Sequence, residues 1–234
     1  MRILYLITKS EFGGAQTHVA DICRYFNSKG YEISVMSKGG GWLEGECKKN
    51  NINFVSNLFF GNTANPLNIW RAIKGIQKYV AVFKPDIIHC HSSAAAFLGR
   101  IAIRGKIRTI YTAHGWGFNI GMKPWIKYPV LSTEKFCARF TDTYICVAEF
   151  VKKLAMDYEL AEEDKFRVVY NGVKSDPSCV NDKSDKNKII FVGRLAEPKI
   201  PELVIKAIAG LPVSIKKSID LTIVGDGPKK ELLR

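Results

Sequence analysis

The chain has 234 residues, 47% of them hydrophobic, which describes a globular protein of one or two domains; no apolar run reaches the ~18–20 residues that span a bilayer. Its six cysteines (Cys23, Cys47, Cys90, Cys137, Cys146, Cys179) show no CxxC pair, which argues against a disulfide framework and makes them reduced thiols, several of them core fillers. The net charge of +13 is concentrated in residues 66–153, with 14 Lys/Arg against 4 Asp/Glu, so one surface is expected to meet nucleic acid, anionic lipid or a phosphorylated substrate.

Met1–Thr8 has the apolar look of a signal peptide but is too short, and Lys9, Glu11 and Gly13-Gly14 stand where a cleavage site would be. It reads instead as a buried first strand, Arg2–Thr8. Ala15–Ser28 carries helical spacing through Val19, Ile22, Cys23 and Phe26. A strand over Tyr31–Met36, a short helix over Trp42–Lys49 and a short strand over Ile52–Val55 follow. Pro66–Phe83 is an amphipathic helix with Ile69, Ile73, Ile76 and Val80 in one row and Arg71, Lys74 and Lys78 outside it. Strands over Asp86–His89, Lys106–Thr112, Thr143–Val147 and Phe166–Tyr170 alternate with helices over Ser92–Ile103, Pro124–Phe140 and Glu149–Tyr158. Pro129 must lie near the first turn of its helix or kink it. Alternation of this kind means βαβ units and a parallel α/β sheet. Asn171–Asn187, rich in Gly, Pro, Ser, Asn and Asp, is the clearest linker. The expected organisation is a first domain over 1–175, a linker over 176–187, and a second Rossmann-like sheet over 188–234. That last segment opens with Lys188–Val192, a helix from Lys199 and a strand from Leu221.

Open α/β sheets hold ligands outside the carboxyl ends of their strands, and the conspicuous residues follow strands. Phe12-Gly-Gly-Ala-Gln-Thr-His18 joins paired glycines to a helix start, where backbone N–H groups can face an anion. It is not a dinucleotide fingerprint: GxGxxG is absent, the second strand ends at Ser37-Lys38 without a ribose-binding acid, and no GxxxxGK[ST] loop exists. His89-Cys-His-Ser92 ends the fourth strand. Its i,i+2 histidines share a face, but the spacing places no third or fourth ligand, so no metal is expected there. Thr112-Ala-His-Gly-Trp-Gly-Phe118 ends the fifth strand, and His114, among small residues, has room to face a cleft. In Val192-Gly-Arg-Leu-Ala-Glu-Pro-Lys199, Arg194 and Lys199 bracket a helix start, a pairing of fixed cations that suits a diphosphate.

Together these pieces resemble the retaining glycosyltransferases of family 4. They are Gly13-Gly14 with His18, Asp86-Ile-Ile-His-Cys-His-Ser92, Tyr111-Thr-Ala-His-Gly115, Val169-Tyr-Asn-Gly-Val173, Gly193-Arg-Leu-x-x-x-Lys199, and Leu221-Thr-Ile-Val-Gly-Asp-Gly-Pro228. Each motif is loose, but six in order are specific. Residues 111–117 and 140–147 look most like members that build bacterial capsular or surface polysaccharide. The resemblance implies a GT-B fold of two Rossmann-like domains. It implies transfer of a sugar, with retention, from a nucleotide sugar to a lipid-linked or polysaccharide acceptor, without a metal or other cofactor. By the same resemblance His114 would sit over the transferred sugar, Gly13, Gly14, Arg194 and Lys199 would hold the donor diphosphate, and His18, His91 and Trp116 would line the acceptor side. Ile200 departs from the family's usual glycine after the lysine. The family's Glu-x7-Glu pair lies beyond Pro228, so the second domain is expected to be incomplete and this chain alone inactive.

The basic segment fits an anionic membrane surface: Pro66–Phe83 and Trp116–Tyr128, with Trp125, Lys123 and Lys127, mix aromatic and basic residues. No motif supports nucleic acid as a partner. The expected location is cytoplasmic, peripheral at the inner face of the cell membrane. Two rival readings stand beside this one: a non-catalytic acceptor- or membrane-binding half working with a separately encoded C-terminal half, and a nucleotide-dependent epimerase or dehydrogenase of Rossmann type.

Overall fold

A computed structural model describes residues 1–61, 65–118, 122–173, 187–196 and 199–233. They form two compact units, Met1–Val173 and Lys174–Arg234. The expected linker, 176–187, lies almost wholly outside the described residues.

Unit 1 contains strands β1 (Arg2–Ile7), β2 (Glu32–Ser37), β3 (Asn53–Ser56), β4 (Ile87–His91), β5 (Arg108–Ala113), β6 (Thr143–Cys146) and β7 (Phe166–Val168). They pair in the order β3-β2-β1-β4-β5-β6-β7, every pair parallel. Helices α1 (Gly14–Ser28), α2 (Trp42–Lys49), α3 (Pro66–Phe83), α4 (Ser93–Ile103), α5 (Pro124–Ala138) and α6 (Glu149–Asp157) connect them. Period-2 alternation divides the core between the two faces of the sheet. Leu4, Leu6, Ile88, Cys90, Tyr111, Tyr144 and Phe166 pack with residues of α3, α4, α5 and α6. Ile3, Tyr5, Ile7, Ile33 and Val35 pack with α1 and α2. A sheet covered on both faces needs apolar residues on both, which is why its strands read as unbroken apolar runs.

Asn65 caps α3, its side chain accepting from the backbone N–H groups of Leu67 and Asn68, with Pro66 at the first helical position where it costs no hydrogen bond. Pro129 lies inside α5, in the second turn, and the helix continues through it. The thiols of Cys23, Cys47, Cys90, Cys137 and Cys146 are free and buried, as expected of core fillers; Cys179 lies outside the described residues. No described helix is long and apolar enough to cross a membrane.

Unit 2 contains β8 (Asn187–Val192) and β9 (Ile219–Val224), paired in parallel, with α7 (Pro201–Ala209) and α8 (Val213–Lys217). Its first helix starts at Pro201 rather than at the expected Lys199, because proline's fixed φ suits the first helical position while Lys199 still turns back on Ala196 through its N–H. Ile190, Val192 and Leu203 are exposed.

Candidate active site

The strand order reverses between β1 and β4: α1 leads from β1 to β2 on one side, while β4 pairs on the other. In a doubly wound sheet this switch point opens a crevice at the carboxyl ends, where the two adjoining connections diverge. Gly13 and His18 lie beyond β1, His91 closes β4 and His114 follows β5.

The parallel register sets Tyr5 beside His89, and Ile7 beside His91, which is in turn beside Thr112. Tyr5, His89 and His91 therefore share the α1 face of the sheet, with the His89 and His91 rings 4.3 Å apart and the Tyr5 ring 5.2 Å from His89. Thr112 Oγ1 meets His89 Nε2 at 2.7 Å, so His89 is tied into the sheet. His91 is fully buried, its Nδ1 3.2 Å from His114 Nε2, and its Nε2 has no hydrogen-bond partner among the described residues. His18 on α1 leans over both, its ring 5.6 Å from that of His91 and edge-on to His114 at 5.0 Å. Three histidines from three separate segments meet in one place. Spacing along β4 showed only His89 and His91 and offered no further ligand; the missing neighbours come from α1 and the β5 loop. Contact of this kind leaves no mark in local sequence.

Burial governs the ionisation of the cluster. Desolvation pushes the His89 imidazole down to about 3 and His114 down to about 4. It holds His91 well below its ordinary value and lowers His18 against the opposing pull of Asp21. All four rings are neutral near pH 7, so each presents one N–H donor and one lone pair. His114 is half-exposed, and Gly115 follows it with φ +153°, a conformation rare for residues with side chains, which lets the chain swing away immediately beyond the ring. Ser92 carries φ +71° at the β4–α4 turn, and Thr8 and Ser92 meet through their hydroxyls, joining β1 to β4 across the switch.

Gly13 is the N-cap of α1, which has no side-chain cap and no acid in its first turn, and a Cβ on Gly14 would meet open space. Uncapped N–H groups beside the histidines are available to an anion. Trp116 is a correction to the sequence reading. It is 3% exposed, stacks on Phe118 and donates its indole N–H to the Val151 carbonyl at 2.8 Å. An indole that satisfies its donor inside the core is a packing element and lines no acceptor surface.

In unit 2, the turns leaving β8 and β9 are zipped together. Gly193 N–H donates to Val224 O, Leu195 N–H to Asp226 O, and Lys229 N–H to Leu195 O. A Cβ on Gly225 would lie 1.9 Å from the Gly193 carbonyl oxygen, so this approach requires glycine. Lys229 reaches Glu202 on α7 at 2.7 Å. The zipper fixes the backbone under Arg194, whose side chain is exposed, as is that of Lys199 two residues before α7.

Residues 12–176 match the model of Glycosyltransferase Family 4, and residues 176–234 match that of Glycosyl transferases group 1. An O-antigen biosynthesis glycosyltransferase, WbnH of Escherichia coli, is 29% identical over 98% of the chain and 64% of its own length. The UDP-Gal:alpha-D-GlcNAc-diphosphoundecaprenol alpha-1,3-galactosyltransferase of E. coli is 29% identical over 56% of the chain and 38% of its own length. The crystal structure of Anabaena Alr3699/HepE in complex with UDP and glucose superposes with a TM-score of 0.72 at 18% identity, covering 100% of this chain and 64% of that one. The chain thus spans a little under two thirds of WbnH and of HepE. Its α/β fold is GT-B-like, and with a family model matched over most of its length it belongs to glycosyltransferase family 4.

Proposed function

We propose that the protein carrying this chain transfers a sugar from a nucleotide-diphosphate sugar to a lipid-linked or polysaccharide acceptor, with retention, in the synthesis of a bacterial surface polysaccharide. The observation that carries the reading is the convergence of neutral His18, His91 and His114 at the switch point of a family 4 sheet. Support for the substrate classes comes from relatives: one is named for O-antigen biosynthesis, another for UDP-Gal and a diphosphoundecaprenol acceptor, and the HepE crystal holds UDP and glucose.

In this reading the bond between sugar C1 and the β-phosphate oxygen breaks, and its electron pair stays on the diphosphate. The acceptor hydroxyl oxygen bonds C1 from the same side, and its proton passes to the departing phosphate. Charge building on the phosphate is the main electrostatic demand. In unit 2 we assign its stabilisation to Arg194 and Lys199 rather than to a metal ion, and in unit 1 the uncapped backbone at Gly13 and Gly14 is assigned to phosphate on its own account; a fixed donor of this kind lowers a barrier by about 3–4 kcal/mol. His114 is assigned to the transferred sugar and His18 to the cleft wall, with the fully buried His91 behind them, bonded to His114 through Nδ1. A neutral imidazole can hydrogen-bond a sugar hydroxyl without adding a cation beside an oxocarbenium-like centre.

The acceptor's lipid points to a membrane surface. Trp125, Ile126 and Tyr128 are exposed at the start of α5, and Lys123 lies 5.2 Å from the Trp125 ring. On α3, Leu67 and Trp70 are exposed, as are Arg71, Lys74 and Lys78. Such mixed surfaces suit the interface of an anionic bilayer, at about 1 kcal/mol per basic residue. Ile190, Val192 and Leu203 of unit 2 present apolar surface that further polypeptide would cover; in a second reading that polypeptide is separately encoded and unit 1 binds acceptor or membrane.

The test is direct. The protein expressed from its full reading frame is given labelled UDP- and GDP-sugars with a lipid diphosphate acceptor, and product is followed by thin-layer chromatography and anomeric NMR. Labelled lipid with retained configuration, lost in His114→Ala, is expected. Absence of transfer from every donor, with acceptor still bound, would favour the second reading.

A further inference from the structure

We propose that His18, His91 and His114 form a binding site for one divalent transition-metal ion, of which Zn²⁺ is the natural occupant. One ring nitrogen of each lies within 4.8 Å of the others. Zinc bound to imidazoles at about 2.0–2.1 Å sets its ligand nitrogens about 3.4 Å apart in a tetrahedron. The 3.2 Å between His91 Nδ1 and His114 Nε2 already has this spacing. The remaining separations need to close by at most about 1.4 Å, within reach of small side-chain rotations, since the tetrahedral edge is about 3.4 Å.

The surroundings allow ligation. His91 closes a central strand, which fixes its backbone, and its Nδ1 is the nitrogen turned toward His114. His18 is set by the first turns of a 15-residue helix. His89, the fourth ring in the ladder, is committed to Thr112 and stays outside the set. His18 and His114 are half-exposed, so an ion has an entry path and a fourth position open to water or an anion. Three neutral nitrogens with no carboxylate in the set suit borderline ions such as Zn²⁺, Co²⁺, Ni²⁺ or Cu²⁺ and discriminate against Mg²⁺, which prefers oxygen ligands.

This site differs in place and chemistry from a metal that bridges a donor diphosphate. The ion takes the imidazole lone pairs that a sugar hydroxyl would otherwise meet. On the transferase reading, and only on it, Zn²⁺ therefore competes with the donor.

The experiment titrates the chelator-stripped protein with Co²⁺ and then displaces it with Zn²⁺. Expected are the visible absorption of four-coordinate Co²⁺ at one ion per chain, bleaching by Zn²⁺, and no response to Mg²⁺. His18→Asn and His114→Asn are each expected to weaken Zn²⁺ binding by more than about 100-fold, beyond the roughly 10- to 100-fold typical of outer-shell changes. Cys179→Ser should bind as the wild type does. Thermal melts by circular dichroism establish that the variants fold, and Zn²⁺ should raise the melting temperature of the wild type but not of the His18→Asn/His114→Asn double variant. No one-to-one Co²⁺ spectrum in the wild type, or equal binding by the folded double variant, overturns the site. Neither outcome bears on sugar transfer, which is measured in metal-free buffer.

Discussion

Arg100 Nη2 on α4 donates to Glu134 Oε2 on α5 at 2.7 Å, with 0% and 5% of the two side chains exposed. The guanidinium also donates to the Ala96 carbonyl, and to the Thr141 and Tyr144 hydroxyls at longer range, and it lies 5.0 Å from the Tyr111 ring. Burial lifts the Glu134 carboxyl above its ordinary range against the attraction of Arg100. Desolvation likewise opposes charge on Arg100, but Glu134 and the surrounding groups outweigh it and hold the guanidinium protonated. This pair ties together the two helices that follow β4 and β5, the strands that end in His91 and lead to His114. Removing one partner strands a charge in the core, which costs about 3–5 kcal/mol. Glu134→Ala should lose that much stability in urea titrations, whereas Arg100→Met with Glu134→Leu should lose far less. A single-variant loss under about 1 kcal/mol would mean that water reaches the pair.

Acid should unfold unit 1 earlier than its carboxylates alone require. His89 is held at about 3 and His114 at about 4, while unfolded histidine titrates near 6.5. Between those limits the unfolded chain binds more protons than the folded one, so stability rises with pH. The contribution is full above pH ~6.5 and is lost as pH falls towards 4 and then 3, at about 1.4 kcal/mol per pH unit for each histidine. Urea midpoints measured with chelator at pH 7, 5.5 and 4.5 should fall steeply, and His89→Asn should flatten the slope by roughly one proton. An unchanged slope in that variant would mean His89 is protonated in the folded state.

These interactions were unequally visible in the sequence. The helix over Pro66–Phe83 was legible to the residue, because the proline near its start and the row Ile69, Ile73, Ile76 and Val80 mark it, and the short helix over Trp42–Lys49 has its expected bounds. Strand ends moved by one or two residues, since apolar runs buried on both faces carry no boundary signal; β4 ends at His91, not His89. Arg194, Lys199 and Gly13-Gly14 stood out because turn chemistry is local. Trp116 misled because an aromatic among glycines looks available, and only the fold shows it packed on Phe118 and bonded to Val151. Neither the Arg100–Glu134 pair nor the His18–His91–His114 cluster was legible: their partners are 34 and up to 96 positions apart, and pairing across such distances depends on strand order, which periodicity does not encode.

Gly225→Ala tests whether the zipped turns of unit 2 position Arg194. The new methyl would meet the Gly193 carbonyl, which lies on backbone and cannot rotate away. One of the two turns must shift, and displacements near 1 Å at a positioning group cost up to about a hundredfold in turnover. In the full protein the donor kcat/KM should fall about ten- to a hundredfold, while Gly210→Ala, with φ −76° and only ordinary contacts, should be neutral. Equal kinetics for both variants would separate Arg194 from the donor site.

Membrane docking through the start of α5 rests on exposed Trp125, Ile126 and Tyr128 beside Lys123. Lys127 contributes less, because its ammonium is engaged with the Tyr158 hydroxyl and lies 4.3 Å from that ring. Apolar insertion and charge attraction respond differently to conditions, which makes the docking separable into its parts. Sedimentation with vesicles containing phosphatidylglycerol should capture the protein at low ionic strength. Capture should weaken with salt, since surface charge acts only over a Debye length of about 10 Å at 0.1 M. Trp125→Ala with Ile126→Ala should lower binding at every salt concentration, by removing buried apolar area worth about 1.5–3 kcal/mol per side chain. Lys123→Ala with Lys74→Ala should instead reduce binding chiefly at low salt. If neither pair changes capture while Arg71→Ala with Lys78→Ala does, the docking face is α3 and α5 faces the aqueous acceptor.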